Sequence, residues 1–260
     1  MSDHSKTGTM PVQLIGLGRG RVGKTAFLNA VIQAAHDRGG RPGIWNADRQ
    51  NQTHSLKLFH PEAEEPGHEG FEDIKLWLEA RMHEQSAGKH HAVLDVGGGD
   101  LLIKKLAKEV RLVRTLERMG IRPVAAHVIG PEKADLDYLR QVSEDGLFMP
   151  EATLILLNGG LVSNGRSVRN AFDEVLAHPV LGEAVKRGAE VVRMPALPCM
   201  TQVTDRGLTF AEAAAGVSKA GQDPLSFFDQ ERVAIWWQEE MPAFFARIPA
   251  HWLPFPGGGA

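Results

Sequence analysis

The stretch VQLIGLGRGRVGKT, residues 12–25, decides the fold class of this chain. Its first six residues form a short, largely apolar run, which predicts a buried strand. The next eight residues satisfy the pattern G-x-x-x-x-G-K-[ST], and after Lys24 the apolar residues Leu28, Val31 and Ile32 recur at helical spacing. A strand, a glycine-rich turn and an amphipathic helix in this order predict a turn that binds phosphate. The alternative is a glycine-rich turn with a structural role only.

Each residue type in this turn suits a phosphate ligand. Glycines let the backbone curl so that its N–H groups converge on one phosphate, and the helix N-terminus adds a partial positive charge. Lys24 is predicted to bridge the β- and γ-phosphates, and the Thr25 hydroxyl is predicted to bind Mg²⁺. The residues expected to contact the nucleotide here are Gly18, Arg19, Gly20, Arg21, Val22, Gly23, Lys24, Thr25 and Ala26.

Further short apolar runs alternate with amphipathic segments along the chain. The remaining strand candidates are residues 43–47, 92–96, 123–129, 152–157 and 190–194, and helical patterns cover residues 74–82 and 101–119. This alternation predicts an α/β fold: a mostly parallel, twisted sheet with helices on both faces. Ligands of such sheets bind beyond the carboxyl ends of the strands, so chemistry is expected in the loops that follow the strands.

Length and composition bound the organisation of the chain. With 260 residues, 43% of them hydrophobic, we expect one domain over residues 11–255, a disordered N-terminal tail over 1–10 and a flexible C-terminal tail over 256–260. The net charge of −3 favours neither nucleic acid nor an anionic membrane. The single cysteine, the polar N-terminus and the absence of a long apolar run predict a soluble cytoplasmic protein with no membrane partner.

Two carboxylates follow predicted strands. Asp95 ends the run HAVLDV, where an acid can hold Mg²⁺, usually through water. The three glycines behind it, Gly97, Gly98 and Gly99, are a candidate switch that changes conformation when the γ-phosphate leaves. Asp48 follows the second strand and is placed to orient the attacking water and to contribute to the magnesium site. The alternatives are an ordinary strand-end turn at Asp95 and a solvated loop carboxylate at Asp48.

With these motifs in order, the chain resembles the ParA/MinD family of P-loop ATPases. The family's deviant motif K-G-G-x-G-K-[ST] reads RGRVGKT here, over residues 19–25, and its D-x-D-P-Q loop reads NADRQ over residues 46–50. The segments LLN at 156–158, LP at 197–198 and FAEA at 210–213 resemble the family's late motifs around the base. The resemblance covers roughly residues 11–218, with the first motif the most specific.

The resemblance implies a function and a set of roles. It implies an ATPase that binds ATP and Mg²⁺, with Asn158 and Pro198 near the adenine, and that forms a nucleotide-sandwich dimer in which Arg19 acts across the interface. It also implies a switch in plasmid or chromosome partition, or in positioning other cargo, and a stimulating adaptor or centromere-binding-type partner. Two departures, Arg19 for lysine and Arg21 for glycine, predict slow or partner-dependent hydrolysis, because Arg21 places a side chain in a tight loop.

Other features leave alternatives open. Lys104, Lys108, Arg111 and Arg118 share roughly one face of the helical stretch 101–119 and could contact DNA phosphates, although a solvated basic face is an equal alternative. The aromatic-rich end, which contains Phe227, Phe228, Trp236, Trp237, Phe244, Phe245 and Trp252, favours packing or a dimer contact over membrane binding, because acidic residues outnumber basic ones nearby. His54, His60 and His68 match no metal-ligand spacing.

Two rival functions share the scaffold. One is a small-molecule kinase or phosphotransferase, for which the sequence shows no acceptor-binding motif. The other is a nucleotide-binding adaptor in conjugation or plasmid maintenance, with little turnover.

Overall fold

The computed structural model describes residues 10–48, 55–97, 101–145, 148–162 and 170–257. Its centre is a six-stranded, all-parallel sheet with the strand order β2-β3-β1-β4-β5-β6. The strands are β1 (Val12–Leu17), β2 (Gly43–Asn46), β3 (Ala92–Asp95), β4 (Arg122–Ile129), β5 (Ala152–Asn158) and β6 (Glu190–Met194). All six predicted strands are confirmed, with ends that differ by one residue at most, and so is the parallel α/β architecture.

Twelve α-helices connect and cover these strands within the described residues. They are α1 (Lys24–Asp37), α2 (Leu56–Phe59), α3 (Phe71–Gly88), α4 (Leu101–Val110), α5 (Leu112–Arg118), α6 (Lys133–Asp145), α7 (Asp173–Leu176), α8 (Pro179–Lys186), α9 (Met200–Asp205), α10 (Phe210–Ala214), α11 (Phe227–Ile235) and α12 (Met241–Phe245). A π-helical turn, Trp236–Glu240, joins the last two.

The central strand β1 supplies apolar side chains to both faces of the sheet. Leu14 packs in a core cluster with Leu28 and Val31 of α1, whereas the next residue, Ile15, packs with Leu78 of α3 in a second cluster on the other side. Successive residues of a strand point to opposite faces, so a strand covered on both sides must be apolar nearly throughout. This is why β1 is apolar along most of its length, with Gln13 as its polar residue.

The predicted helical stretch over residues 101–119 is two helices, and the expectation of one continuous basic face is wrong. Arg111 has a left-handed backbone conformation, with φ 49°, and separates α4 from α5. In an unbroken helix Leu112 would lie about 180° around the axis from Ile103. The break brings Ile103 and Leu112 into the same buried cluster. The break therefore allows the apolar residues of both α4 and α5 to be buried, and this burial favours it.

The C-terminal aromatic residues mostly belong to the core. Trp236, Phe244, Phe245 and Trp252 are buried in the cluster that covers the α1 face of the sheet, which confirms the packing interpretation for them. Phe227 and Phe228 are different, because they are 87% and 78% exposed. Over the residues described, no helix has the length and apolarity needed to cross a membrane.

Candidate functional site

The loop between β1 and α1 has the backbone shape of a phosphate-binding turn. Gly18 and Gly23 have positive φ angles of 134° and 93°. A Cβ at Gly18 would lie 2.6 Å from the Val128 carbonyl oxygen, and one at Gly23 would lie 2.4 Å from Asn158 Nδ2. Both positions therefore require glycine. No side chain caps α1 at Gly23, so the N–H groups of its first turn are available to an anion.

Arg21 does not fill the loop, contrary to expectation. Its side chain is exposed, and the departure from glycine is absorbed by the backbone, which adopts φ 67°. A left-handed conformation costs a non-glycine residue about 1–2 kcal/mol. The substitution therefore strains the loop without closing it.

Lys24 lies across the mouth of the same loop. Its side chain is 6% exposed, and Nζ donates hydrogen bonds to the carbonyl oxygens of Gly18 at 2.9 Å and Arg19 at 3.1 Å. Among the described residues the hydrogen bonds of this buried ammonium go to neutral carbonyl groups, and such an arrangement suits an anionic ligand because burial of a charge is costly.

Thr25 and Asp95 meet beneath the loop. The Thr25 hydroxyl donates to Asp95 Oδ2 at 2.7 Å, and Asp95 is 1% exposed. Burial raises the pKa of the Asp95 carboxyl to about 6, against the lowering effects of the Thr25 hydrogen bond and the Lys24 charge. Its second oxygen, Oδ1, has no hydrogen-bond partner among the described residues. A hydroxyl and an orphaned carboxylate oxygen are hard ligands of the kind that Mg²⁺ takes, so this pair fits the ion.

Asp48 approaches this pair from the neighbouring strand. It follows β2, which pairs with β3, and a Cβ at Gly97 would lie 3.2 Å from Asp48 Oδ1. Its charge is one of the influences that raise the pKa of Asp95. Gly97 ends the described part of this loop, and Gly98 and Gly99, with the rest of the predicted switch, lie outside the described residues.

Asn46 occupies the position of the first acidic residue in the D-x-D-P-Q motif of the ParA/MinD family. Its side chain forms hydrogen bonds that hold the loop after β2. Its amide Nδ2 donates to Glu65 Oε1 at 2.7 Å, and its Oδ1 accepts from the Asp48 backbone N–H at 3.3 Å. Asn46 therefore positions the backbone of Asp48.

Arg19 is paired within its own chain. Its guanidinium lies 3.0 Å from Asp135 Oδ1, and it is 46% exposed whereas Asp135 is 7% exposed. Asp135 Oδ2 also accepts from the backbone N–H of Gly130 at 2.9 Å. Sequence reasoning missed Asp135, although its position near the start of α6, just after β4, was a usable signal.

Asn158 is the last residue of β5, and Pro198 lies in the loop after β6. Asn158 Nδ2 donates to the Val22 carbonyl oxygen at 2.9 Å, and its Oδ1 accepts from the Gly160 N–H at 3.0 Å. Asn158 thus braces the phosphate loop from behind, a role that sequence reasoning did not assign. Pro198 is exposed in the turn that precedes α9. Their predicted contacts with adenine stay predictions.

The described residues thus combine an all-parallel, six-stranded α/β fold with a glycine-rich loop between β1 and α1 and a buried hydroxyl–carboxylate pair beneath that loop. No protein-family model and no curated protein matches the chain. Among solved structures, a crystal structure of the cell division protein FtsY from Thermotoga maritima is similar, with a TM-score of 0.44 and 16% identity, over 88% of this chain and 69% of that chain.

Proposed function

We propose that the protein is a slow ATPase that binds ATP with Mg²⁺, dimerises around the nucleotide and acts as a molecular switch in plasmid partition or cargo positioning. The Thr25–Asp95 pair carries this proposal. A buried carboxylate beneath a glycine-rich loop, with one oxygen that has no hydrogen-bond partner among the described residues, has a clear use as a magnesium ligand. The ParA/MinD-like motifs support the choice of ATP and of the switch role.

The residues have distinct roles in this proposal. The first-turn N–H groups of α1 bind the phosphates. The Lys24 ammonium gives up its hydrogen bonds to the loop carbonyl oxygens and donates to the β- and γ-phosphate oxygens. Thr25 and Asp95 would hold Mg²⁺, and the ion would supply positive charge against the charge that develops on the phosphates. Asp48 orients the water that attacks the γ-phosphorus, and the bond to the β–γ bridging oxygen breaks to release ADP and phosphate.

Dimerisation requires a change at Arg19. To reach a nucleotide in a second subunit, its guanidinium must leave Asp135, and a phosphate can replace that carboxylate because arginine binds both with two donors. A stimulating partner can act by favouring this exchange. Non-specific DNA contact through Lys104, Lys108, Arg111 and Arg118 remains part of the proposal, now divided over α4 and α5.

A nucleotide-binding adaptor with little turnover is the second candidate. The Arg19–Asp135 ion pair favours it, because it keeps the arginine of the loop within its own subunit. Nucleotide-dependent dimerisation without steady phosphate release would support this function over the switch ATPase.

The test is the molar mass by light scattering with ATP–Mg²⁺, with ADP–Mg²⁺ and without nucleotide. We expect the 28.4 kDa chain to double in mass with ATP only, and both Lys24→Ala and Arg19→Ala to remain monomeric. Lys186→Ala removes an exposed lysine on α8 and should dimerise normally. A wild-type monomer that still binds ATP would overturn the dimer mechanism and favour a small-molecule kinase.

A further inference from the structure

Three side chains of metal-ligating type converge at the end of α1 opposite Lys24. His36 lies in the last turn of α1, and His60 and Glu62 follow α2. One ligand atom of each lies within 4.8 Å of the other two. Glu62 Oε1 is 4.0 Å from His36 Nε2 and 4.0 Å from His60 Nδ1. The phosphate loop uses none of these three residues.

A chain of hydrogen bonds fixes which nitrogen of His60 carries the proton. The Phe210 backbone N–H donates to Gln33 Oε1 at 2.7 Å, so the Gln33 Nε2 group faces Asn29 and donates to its Oδ1 at 2.7 Å. The same Asn29 oxygen lies 2.9 Å from His60 Nε2. Because that oxygen can only accept, Nε2 must be the protonated nitrogen and Nδ1 must present a lone pair.

This arrangement is the one that metal-binding histidines use. A ligating imidazole commonly donates its second N–H to a neighbouring oxygen, which sets the tautomer and the ring orientation. Here the lone pair of His60 Nδ1 faces Glu62 and lies in the cluster with His36. His60 is 2% exposed, so its ring is held in place by packing as well.

The ligand set favours zinc. Two imidazoles and one carboxylate suit Zn²⁺, with water in the fourth position. The ligand atoms of a tetrahedral zinc lie about 3.4 Å apart. The two separations of 4.0 Å from Glu62 must therefore shorten by less than 1 Å, and the separation between the two histidines, which is within 4.8 Å, by up to about 1.4 Å. Glu62 is 57% exposed and can rotate to make that adjustment. Arg41, the basic residue beside His36, is exposed and donates to the backbone carbonyls of His36 and Gly40.

We propose that His36, His60 and Glu62 form a Zn²⁺ site that joins the segment after α2 to the end of α1. The segment continues into Glu64, which forms a β-bridge with Trp45, and Glu65, which accepts from Asn46. Bound zinc therefore restrains the connection that precedes this contact with β2. The site is independent of the proposed nucleotide function, because its ligands lie outside the phosphate loop.

The test is calorimetric titration of the chelator-treated full-length protein with zinc sulfate in the absence of nucleotide. We expect one Zn²⁺ per chain and a higher melting temperature with zinc. Glu62→Gln changes an exposed side chain and should weaken binding by at least about tenfold, since even outer-shell changes cost that much. His36→Gln should abolish stoichiometric binding. The control, His68→Ala, removes an exposed histidine nearby and should bind as wild type does.

Two results would overturn the proposal. One is the absence of stoichiometric zinc binding by the wild type. The other is binding of equal strength in wild type, Glu62→Gln and His36→Gln, which would place the metal elsewhere. Light scattering with ATP–Mg²⁺ on the same variants keeps the two proposals separate, because loss of the zinc ligands should leave ATP-dependent dimerisation intact.

Discussion

The buried position that suits the Asp95 carboxylate to bind a metal ion also lowers the stability of the folded protein. Its carboxyl is buried, one of its oxygens has no hydrogen-bond partner in the described part of the chain, and burial raises its pKa from 3.8 to about 6. The folded protein therefore holds this proton more tightly than the unfolded chain does. Binding of this proton therefore contributes to the free energy of unfolding. The contribution is fully present below pH 3.8 and is lost as the pH rises through about 6.

Replacement of Asp95 by asparagine should separate the two demands. At pH 8 we expect Asp95→Asn to increase the free energy of unfolding by roughly 2–3 kcal/mol, since one pKa unit corresponds to about 1.4 kcal/mol. Magnesium-dependent nucleotide binding should be lost in the same variant. Urea denaturation at pH 5 and pH 8 measures the first effect and nucleotide titration the second. A variant less stable than wild type at pH 8 would contradict this account.

The sequence predicted Thr25 and Asp95 each as a magnesium ligand, because each sits in a local pattern with a known use, and the structure adds that the two are hydrogen-bonded to each other. It did not reveal that Asp135 pairs with Arg19, or that Asn46 positions Asp48. These contacts depend on which loops meet in space, and Asn46 in particular differs from the residue that the pattern predicts there.

At the scale of the element, β4 carries a buried histidine that should affect stability in acid. His127 is 3% exposed, its Nδ1 has no partner among the residues described, and burial lowers its pKa from 6.5 to about 4. The unfolded chain takes up this proton below pH 6.5, whereas the folded chain takes it up only near pH 4. The free energy of unfolding should therefore fall as the pH drops from 6.5 to 4, and His127 should contribute no slope above that range.

Replacement of His127 tests this dependence. His127→Phe should reduce the slope of stability against pH between 6.5 and 4, by up to roughly 3 kcal/mol over the window. Urea denaturation at half-unit steps of pH is the measurement. His83→Gln, at an exposed position on α3, should keep the wild-type slope. An unchanged slope in the His127 variant would show that other groups dominate acid unfolding.

The helices α4 and α5 show how an element prediction fails. The apolar pattern over residues 101–119 is helical in each half, but a single straight helix would turn the second half away from the sheet. Arg111 adopts an unfavourable φ of 49°, and this turn of the backbone allows Leu112 and Leu116 to be buried. Two buried leucines offset one strained residue, since each fully buried leucine contributes about 1.5–3 kcal/mol.

At the scale of the whole molecule, the C-terminal segment is part of the core. Trp236 is 1% exposed, packs against Phe210 with ring centroids 4.8 Å apart and donates its indole N–H to the Pro195 carbonyl oxygen at 3.0 Å. It thereby connects the end of the chain to the loop after β6. The fold is therefore expected to depend on residues far from the phosphate loop.

A pair of aromatic substitutions tests this dependence. Trp236→Ala should lower the free energy of unfolding by about 3–5 kcal/mol, through lost burial and the cavity left behind. Phe227→Ala, on an adjacent helix but 87% exposed, should change it by less than about 0.5 kcal/mol. Urea denaturation of both variants is the measurement. Equal, small effects would show that the C-terminal segment is not part of the cooperative core.

The sequence by itself determined the six strands and the glycine-rich loop between β1 and α1, because these depend on periodicity and spacing within a few residues. Only the tertiary structure decided that Arg19 meets Asp135, that Asn158 braces Val22 and that His36 meets His60, since those partners are 116, 136 and 24 residues apart. Strand order and helix packing set these pairings. A single sequence carries no local signal of the strand order. The free energy that selects the strand order comes from burial of apolar surface summed over the whole sheet.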